Sequence, residues 1–345
     1  MLGLRVFVEM DYEGNDISKV INEEHSNFEY KDNIGLADEI SFTIHNYDVS
    51  KPWINNSFPE KGDKVIAKLR MIEGDKDRPF ECGEFYVDDI NTNFCPDTLT
   101  IKAISIELGN KIKSEEVTKA WEKTSLKKIG QAIATKNKLK FEFKGSDVKF
   151  ARVEQKEESD GALIQRLAVS HGFGVKVIKS TLVIMEHSAL EKANSNVIID
   201  KKLIKSGNIK MTDVDTYDSC LIHYYDTKLK KKIQVEVKAK RYFYKGTTGK
   251  VLKKNKSFGV SGTKAEKEAQ LKKVAEGLLR QANKKDTTFS FTLKGSFDYV
   301  AGARVTLKNF GIFDKGNYII TAVSHKKDSS GYETQVEGRV CLDVS

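Results

Sequence analysis

The sequence is poor in cysteine, proline and tryptophan, and no apolar run near its start is long. Its four cysteines (Cys82, Cys95, Cys220 and Cys341) stand far apart, with no C-x-x-C pair and no histidine at ligand spacing. A structural zinc site needs ligands clustered by short loops, so no metal is expected and buried free thiols are. At 39% hydrophobic residues, a chain of this length buries roughly three quarters of the surface its unfolded form exposes, so it needs no covalent staple. Four prolines and 31% charged residues exclude a disordered or collagen-like chain. The first apolar run, Val6-Phe7-Val8, is far too short for a secretory signal or a membrane span. Synthesis in the cytoplasm, a soluble product and no membrane contact are the expectations. A length of 345 residues points to two or three domains.

Charge is unevenly spread. Residues 1–100 hold 10 Lys and Arg against 21 Asp and Glu, whereas residues 226–285 hold 19 against 5. Such asymmetry fits either nucleic acid or an acidic face on a neighbouring subunit.

Alternation predicts strands at 5–10, 39–44, 64–71, 84–90 and 98–104, with all four prolines between strand patterns, as a missing N–H requires. These make an all-β unit over residues 1–108. The period then changes. Thr124 and Ser125 can cap a helix carrying Leu126, Ile129 and Ile133 on one face, and Ser159-Asp160 can cap a second that buries Leu163, Ile164, Leu167 and Ala168 and stops at His171-Gly172. With a closing hairpin at 175–185, residues 109–190 read as a compact α+β module. Strands return at 220–225 and 232–239 and are assigned, with 286–345, to a second β unit spanning 191–245 and 286–345. Between them, residues 246–285 form a basic loop and one long helix, with Thr263 and Glu266 in a capping-box pattern and Leu271, Val274, Leu278 and Ala282 along one side.

The two ends of the chain look alike. Ser41-Phe42-Thr43-Ile44 matches Ser290-Phe291-Thr292-Leu293, Gly62-Asp63-Lys64-Val65 matches Gly302-Ala303-Arg304-Val305, and Gly83-Glu84-Phe85-Tyr86-Val87 matches Gly316-Asn317-Tyr318-Ile319-Ile320. A fourth alternating strand then starts at Leu99 or Tyr332, nine residues after Ile90 or Val323. The fold class expected is therefore α+β, mainly β: two copies of one small β-barrel, an α+β module inserted between them, and a long helix before the final strands. A sheet edge can be hidden by continuing the sheet into a neighbouring subunit, and three chains with two units each would present six near-equivalent positions.

At this point the sequence resembles the late-control D, or baseplate hub, family of contractile phage tails, tailocins and related injection machines. The resemblance covers nearly the whole chain. It rests on Ala37-Asp38-Glu39-Ile40-Ser41-Phe42, Gly62-Asp63 and Gly83-Glu84-Phe85-Tyr86-Val87-Asp88-Asp89-Ile90 in the first unit, and on Thr124-Ser125-Leu126 with Ile129 and Ile133-Ala134 in the module. Its most specific stretch is Gln155-Lys156-Glu157-Glu158-Ser159-Asp160, followed by Gln165-Arg166-Leu167-Ala168 and Gly172. Beyond the long helix, Val300-Ala301-Gly302, Gly316-Asn317-Tyr318-Ile319-Ile320 and Gly331-Tyr332 complete it. Leu163-Ile164 departs from the pattern, since many relatives place an aromatic there. The resemblance implies tube-type β-domains and a homotrimeric structural hub, with the inner tail tube protein on one side and the central spike protein on the other. Tape measure and baseplate wedge proteins are further implied partners, and the tail particle is the implied destination.

Chemistry is not expected. Six histidines (His25, His45, His171, His187, His223 and His325) are scattered without a motif partner, and Gly246-Thr247-Thr248-Gly249-Lys250 has too few residues between its glycines for a phosphate loop. No enzyme activity, catalytic residue, cofactor or metal is therefore assigned. The candidate interface is the basic segment 226–256, with Lys230, Lys231, Lys232, Arg241, Tyr242 and Tyr244 as its bearers. A protein neighbour is favoured over nucleic acid there, because an acidic first unit already offers the complementary charge. Two alternatives stay open: cell-wall binding through the 109–190 module, and nucleic-acid contact through the basic segment.

Overall fold

A computed structural model describes residues 5–22, 26–34, 37–45, 58–105, 115–178, 180–192, 197–226, 230–240, 243, 248–256, 260 and 263–344. The first unit comprises β1 (Arg5–Tyr12), β2 (Asn15–Asp16), α1 (Ser18–Ile21), β3 (Asn27–Asn33), β4 (Glu39–His45), β5 (Lys64–Glu73), β6 (Lys76–Asn93) and β7 (Thr98–Ile104). Side chains on a strand alternate between faces, so β1 buries Val6, Val8 and Met10 while Arg5, Phe7 and Glu9 face solvent. The same alternation in β3 to β7 brings Phe28, Ile40, Phe42, Leu69, Phe85 and Ile101 into one core.

The module follows: β8 (Glu116–Ser125), α2 (Leu126–Lys136), β9 (Lys140–Lys144), β10 (Lys149–Ser159), α3 (Asp160–Ser170), β11 (Phe173–Ile178), β12 (Thr181–Glu186) and α4 (His187–Lys192). Both helices start where the sequence places their caps. The Ser125 hydroxyl accepts from Lys128 N at 3.2 Å and the Ser159 hydroxyl from Ala162 N at 3.2 Å. The β8–β10 ladder has no counterpart in the sequence reading, because its side chains are mostly exposed and charged and give no apolar alternation.

The remainder comprises β13 (Val197–Asp200), β14 (Ile204–Met211), β15 (Ser219–Asp226), β16 (Lys231–Lys240), β17 (Val251–Lys256), α5 (Lys264–Ala282), β18 (Thr287–Lys294), β19 (Arg304–Lys308), β20 (Tyr318–Asp328), β21 (Gly331–Val340) and β22 (Asp343–Val344). Here the structure departs from expectation. The strands expected at 220–225 and 232–239 in the second barrel form a separate sheet, β17-β15-β16-β22. The cause is α5. Its stripe of Leu271, Val274, Ala275 and Leu279 needs an apolar surface, and Cys220, Ile222, Tyr224, Ile233 and Val237 supply it. The helix keeps its expected capping box, with Thr263 N donating to Glu266 and Glu266 N donating to the Thr263 hydroxyl.

The internal repeat extends to single hydrogen bonds. Strand order is β3-β4-β7-β6-β5-β1 in the first unit and β14-β18-β21-β20-β19-β13 in the second. Phe42 lies opposite Ile101 and Phe291 opposite Val336, while Val65 faces Phe85 and Val305 faces Tyr318. Each copy carries a bulge at the same place, between Val87 and Asp89 and between Ile320 and Ala322. Gly62 N donates to Val87 O at 2.8 Å and Gly302 N to Ile320 O at 2.9 Å, both from turns where φ is +95° and +87°, conformations that favour glycine. Within the shared strands, two differences of pairing stand out. Strand β13 runs parallel to β19, whereas β1 is antiparallel to β5. The β20–β21 hairpin is longer, so Leu293 meets Thr334, two residues later than the sequence match at Tyr332 implies, while Ile44 meets Leu99.

Among the described residues no ladder joins β1 to β3 or β13 to β14, so the six strands common to both units form a sheet left open at that point, with β2 added beside β1 in the first unit. In the first unit, Asn22 beside the opening binds the free edge of β1, accepting from Val8 N at 3.0 Å and donating to Val8 O at 2.7 Å. The two units share one continuous sheet, because residues 322–327 of β20 pair with residues 28–33 of β3.

The module and α5 meet where glycines let backbones touch. A Cβ on Gly277 would lie 2.8 Å from both Gly172 N and His171 C. Neither atom can rotate away. Gly277→Val should therefore destabilise the protein by about 1–3 kcal/mol through overpacking, measurable as a lower urea midpoint with unchanged slope. A neutral result would mean that α3 and α5 separate freely.

Candidate subunit interface

Six residues carried the sequence expectation of an interface. Lys230 sits in the β15–β16 turn with φ +48°, and Lys231 and Lys232 follow on successive positions of β16. Neighbours on a strand point to opposite faces. Lys231 therefore lies opposite Asp226 on the helix side, while Lys232 lies opposite the exposed Tyr225 on the outer side, a face that also carries Lys238 and Lys253. The three lysines form no single patch. Arg241, Tyr242 and Tyr244 fall outside the described residues. Phe243, in the middle of that stretch, packs into the second core, 5.3 Å from the Phe313 ring and 6.3 Å from that of Tyr318.

The strongest electrostatic features lie instead at the joints between parts, and the sequence reading missed them because their members are distant in the chain. Lys176 on β11 reaches Asp32 at 2.6 Å and Asp38 at 2.7 Å, and the other Asp32 oxygen accepts from Ala301 N at 2.8 Å. Module, first unit and second unit meet on these carboxylates. Burial lifts the Asp38 carboxyl to about 6, with neighbouring Asp32 adding to the shift and the Lys176 ammonium opposing it.

A second cluster centres on Glu191 of α4. It accepts from Arg280 of α5, from Arg339 of β21 at 2.6 Å and from Leu342 N at 3.2 Å. Glu191 and Arg339 are buried. Close by, burial and the Arg339 charge lower the Lys284 ammonium to about 8. A third buried pair, Lys267 with Asp226, pins α5 to its own sheet. Across the seam between the two units, His325 stacks on Tyr30 at 5.9 Å and on Tyr332 at 6.2 Å, with Phe80 and Phe297 also in ring contact. Its Nδ1 meets the Tyr332 hydroxyl at 2.6 Å, and its Nε2 is buried without a hydrogen-bond partner.

Little here resembles a reaction centre. Among the described residues no group of three His, Cys, Asp or Glu side chains is placed to hold a metal ion, and no helix is long and apolar enough to cross a membrane. Cys82, Cys220 and Cys341 are buried and Cys95 is exposed.

This fold is shared with solved phage tail proteins. A tail protein from Neisseria meningitidis MC58 shares it with a TM-score of 0.66 at 12% identity, over 97% of this chain and 96% of that one. The Escherichia coli c3393 protein, a type VI secretion component, shares it with a TM-score of 0.52 at 9% identity, over 96% of this chain and 76% of that one. The curated relatives are more specific. A probable baseplate hub protein of Escherichia phage P2 is 28% identical over 206 residues, 59% of this chain and 49% of the relative. Its counterpart in Escherichia phage 186 is 25% identical over 295 residues, 75% of each. The match thus spans about half the length of the P2 protein. No model of a protein family matches the chain.

Proposed function

We propose that this chain is a structural subunit of a contractile-tail baseplate hub, acting as a homotrimer that joins a six-fold inner tube to a three-fold central spike. The observation that carries this is the duplication: both units repeat the same strand order, bulge and glycine turn. Three copies then offer six near-equivalent sheets to a tube while remaining three-fold to a spike. The names of the P2 and 186 relatives point the same way. The role needs positioning and rigidity and no bond-making chemistry. The partners are a second and third copy, the tube protein and the spike protein, with tape measure and wedge proteins as outer neighbours. Synthesis is cytoplasmic and the destination is the baseplate. The test is stoichiometry: native mass of the full chain co-purified with its spike, or a copy count in the particle, should give three. Two or six copies would overturn the proposal.

The basic outer face of the β15–β16 sheet is proposed to dock on an acidic neighbour. Lys232→Glu should then reduce particle assembly more than Lys231→Glu, because only Lys232 lies on the outer face with Tyr225. Equal effects, or intact assembly with both, would remove this face from the interface.

A further inference from the structure

Positive charge is left over where α4, α5 and β21 meet. The charges acting on His187, Lys284 and Cys341 are those of Arg280, Arg304, Arg339, Lys284 and Glu191, and only the last is negative. Both Glu191 oxygens are already engaged. Oε1 accepts from Arg339 Nη2 at 2.6 Å, and Oε2 accepts from Arg280 Nη1 and from Leu342 N at 3.2 Å. Backbone carbonyls fix the same guanidiniums, since Arg280 also donates to Leu342 O at 2.6 Å and Arg339 to Val340 O at 3.0 Å.

Lys284 takes no part in this network. It sits in the short turn Asn283–Lys285 that continues α5, one helical turn beyond Arg280. Asn283 anchors that turn, accepting from Tyr217 N and donating to Tyr217 O, both at 2.8 Å. Lys284 is half-buried, and its ammonium has no ion pair or hydrogen bond among the described residues. Beside it, His187 is only 7% exposed and its Nδ1 is buried without a hydrogen-bond partner. A cation and a ring nitrogen removed from water without partners are both costly.

We infer that this joint binds a small oxyanion of the phosphate class, held by Lys284, Arg280 and Arg339 beside the His187 ring. Charge sets the class. Arg280, Arg339 and Lys284 against Glu191 leave two positive charges unmatched, and a phosphate group near neutral pH carries about −1.5 to −2. Donors are available as well. A guanidinium offers N–H groups on three nitrogens, and Arg280 uses only Nη1 on Glu191 and Leu342 O, leaving Nε and Nη2. A planar fork beside a rotatable ammonium suits a tetrahedral oxyanion, and a neutral imidazole can add a donor from Nδ1. Bound there, the anion ties α4 of the module to α5 and to β21 of the second unit.

Urea unfolding of the full chain, in inorganic phosphate against sodium chloride of equal ionic strength, tests the site. Filling it at ten times its dissociation constant lowers the unfolding constant about elevenfold, so the midpoint should rise with phosphate and level off. Lys284→Met keeps the stem and removes the charge. It should be at least as stable as the parent in chloride and should lose the phosphate response, whereas Lys284→Arg should keep it. Equilibrium dialysis with labelled phosphate should find one anion per chain in the parent and none in Lys284→Met. A short single-stranded oligonucleotide should not displace it; displacement would assign the site to a nucleic-acid backbone and overturn the small-anion reading. No saturable rise in the parent, or an equal rise in Lys284→Met, overturns the site. So does a Lys284→Met chain much less stable than the parent in chloride, because the ammonium would then already have its counter-charge.

Discussion

Replacing Glu191 with alanine should cost about 3–5 kcal/mol of stability, the usual penalty for stranding a buried charge. Two guanidiniums, those of Arg280 and Arg339, lose their common acceptor, and Leu342 N loses its partner. Glu191 is buried, so water cannot replace the carboxylate without opening the joint. Since small domains hold only about 5–15 kcal/mol in total, the loss should appear as early release of α4 from α5 and β21. Urea unfolding gives the magnitude, and hydrogen exchange in 187–192 and 335–340 its location. Glu191→Gln should recover part of the loss, because an amide oxygen still accepts. A change under about 1 kcal/mol, the range of an exposed pair, would show that the cluster is solvated.

Acid should act on the seam between the two β units. Burial holds the His325 imidazole neutral, down to about 4 from its ordinary 6.5, against a small opposing pull from Asp32. The unfolded chain takes up this proton first as pH falls. His325 thus contributes fully above pH 6.5, and the contribution is lost between 6.5 and about 4, amounting to roughly 3 kcal/mol at one pKa unit per 1.4 kcal/mol. His187, lowered to about 3 by burial and then by Lys284, Arg339 and Arg280, acts in the same direction. Asp38 opposes them. Its raised carboxyl takes a proton in the folded state first, so stability is regained as pH falls from about 6 toward 3.8. His325→Phe should flatten the acid limb of a stability–pH curve, and Asp38→Asn should steepen it. If His325→Phe leaves the curve between pH 6.5 and 4 unchanged, the imidazole is not held neutral by its cage.

The duplicated units were legible in sequence because strand alternation and glycine-led turns are local signals. Gly62 and Gly302 mark the same turn, and Phe42 and Phe291 the same core position. Helix caps at Ser125, Ser159 and Thr263 were equally local. What escaped was partnership. Nothing in Cys220–Tyr225 tells whether its apolar face meets another sheet or a helix, and α5 decided it. The seam between β20 and β3 joins residues almost three hundred positions apart, so no window of sequence contains it. The candidate interface lysines show a simpler limit of sequence: a run such as Lys230-Lys231-Lys232 is continuous in the chain but splits between two faces once it becomes a strand.

The insertion carried between β14 and β18 is absent from the matching place between β3 and β4. One repeat therefore bears a bulky appendage that its twin lacks. However closely the sheets imitate each other, a surface that includes the appendage differs between the two repeats, whereas one made of the shared strands alone presents the same strand order twice. Likeness and difference between the repeats thus reside on separate surfaces of a single polypeptide.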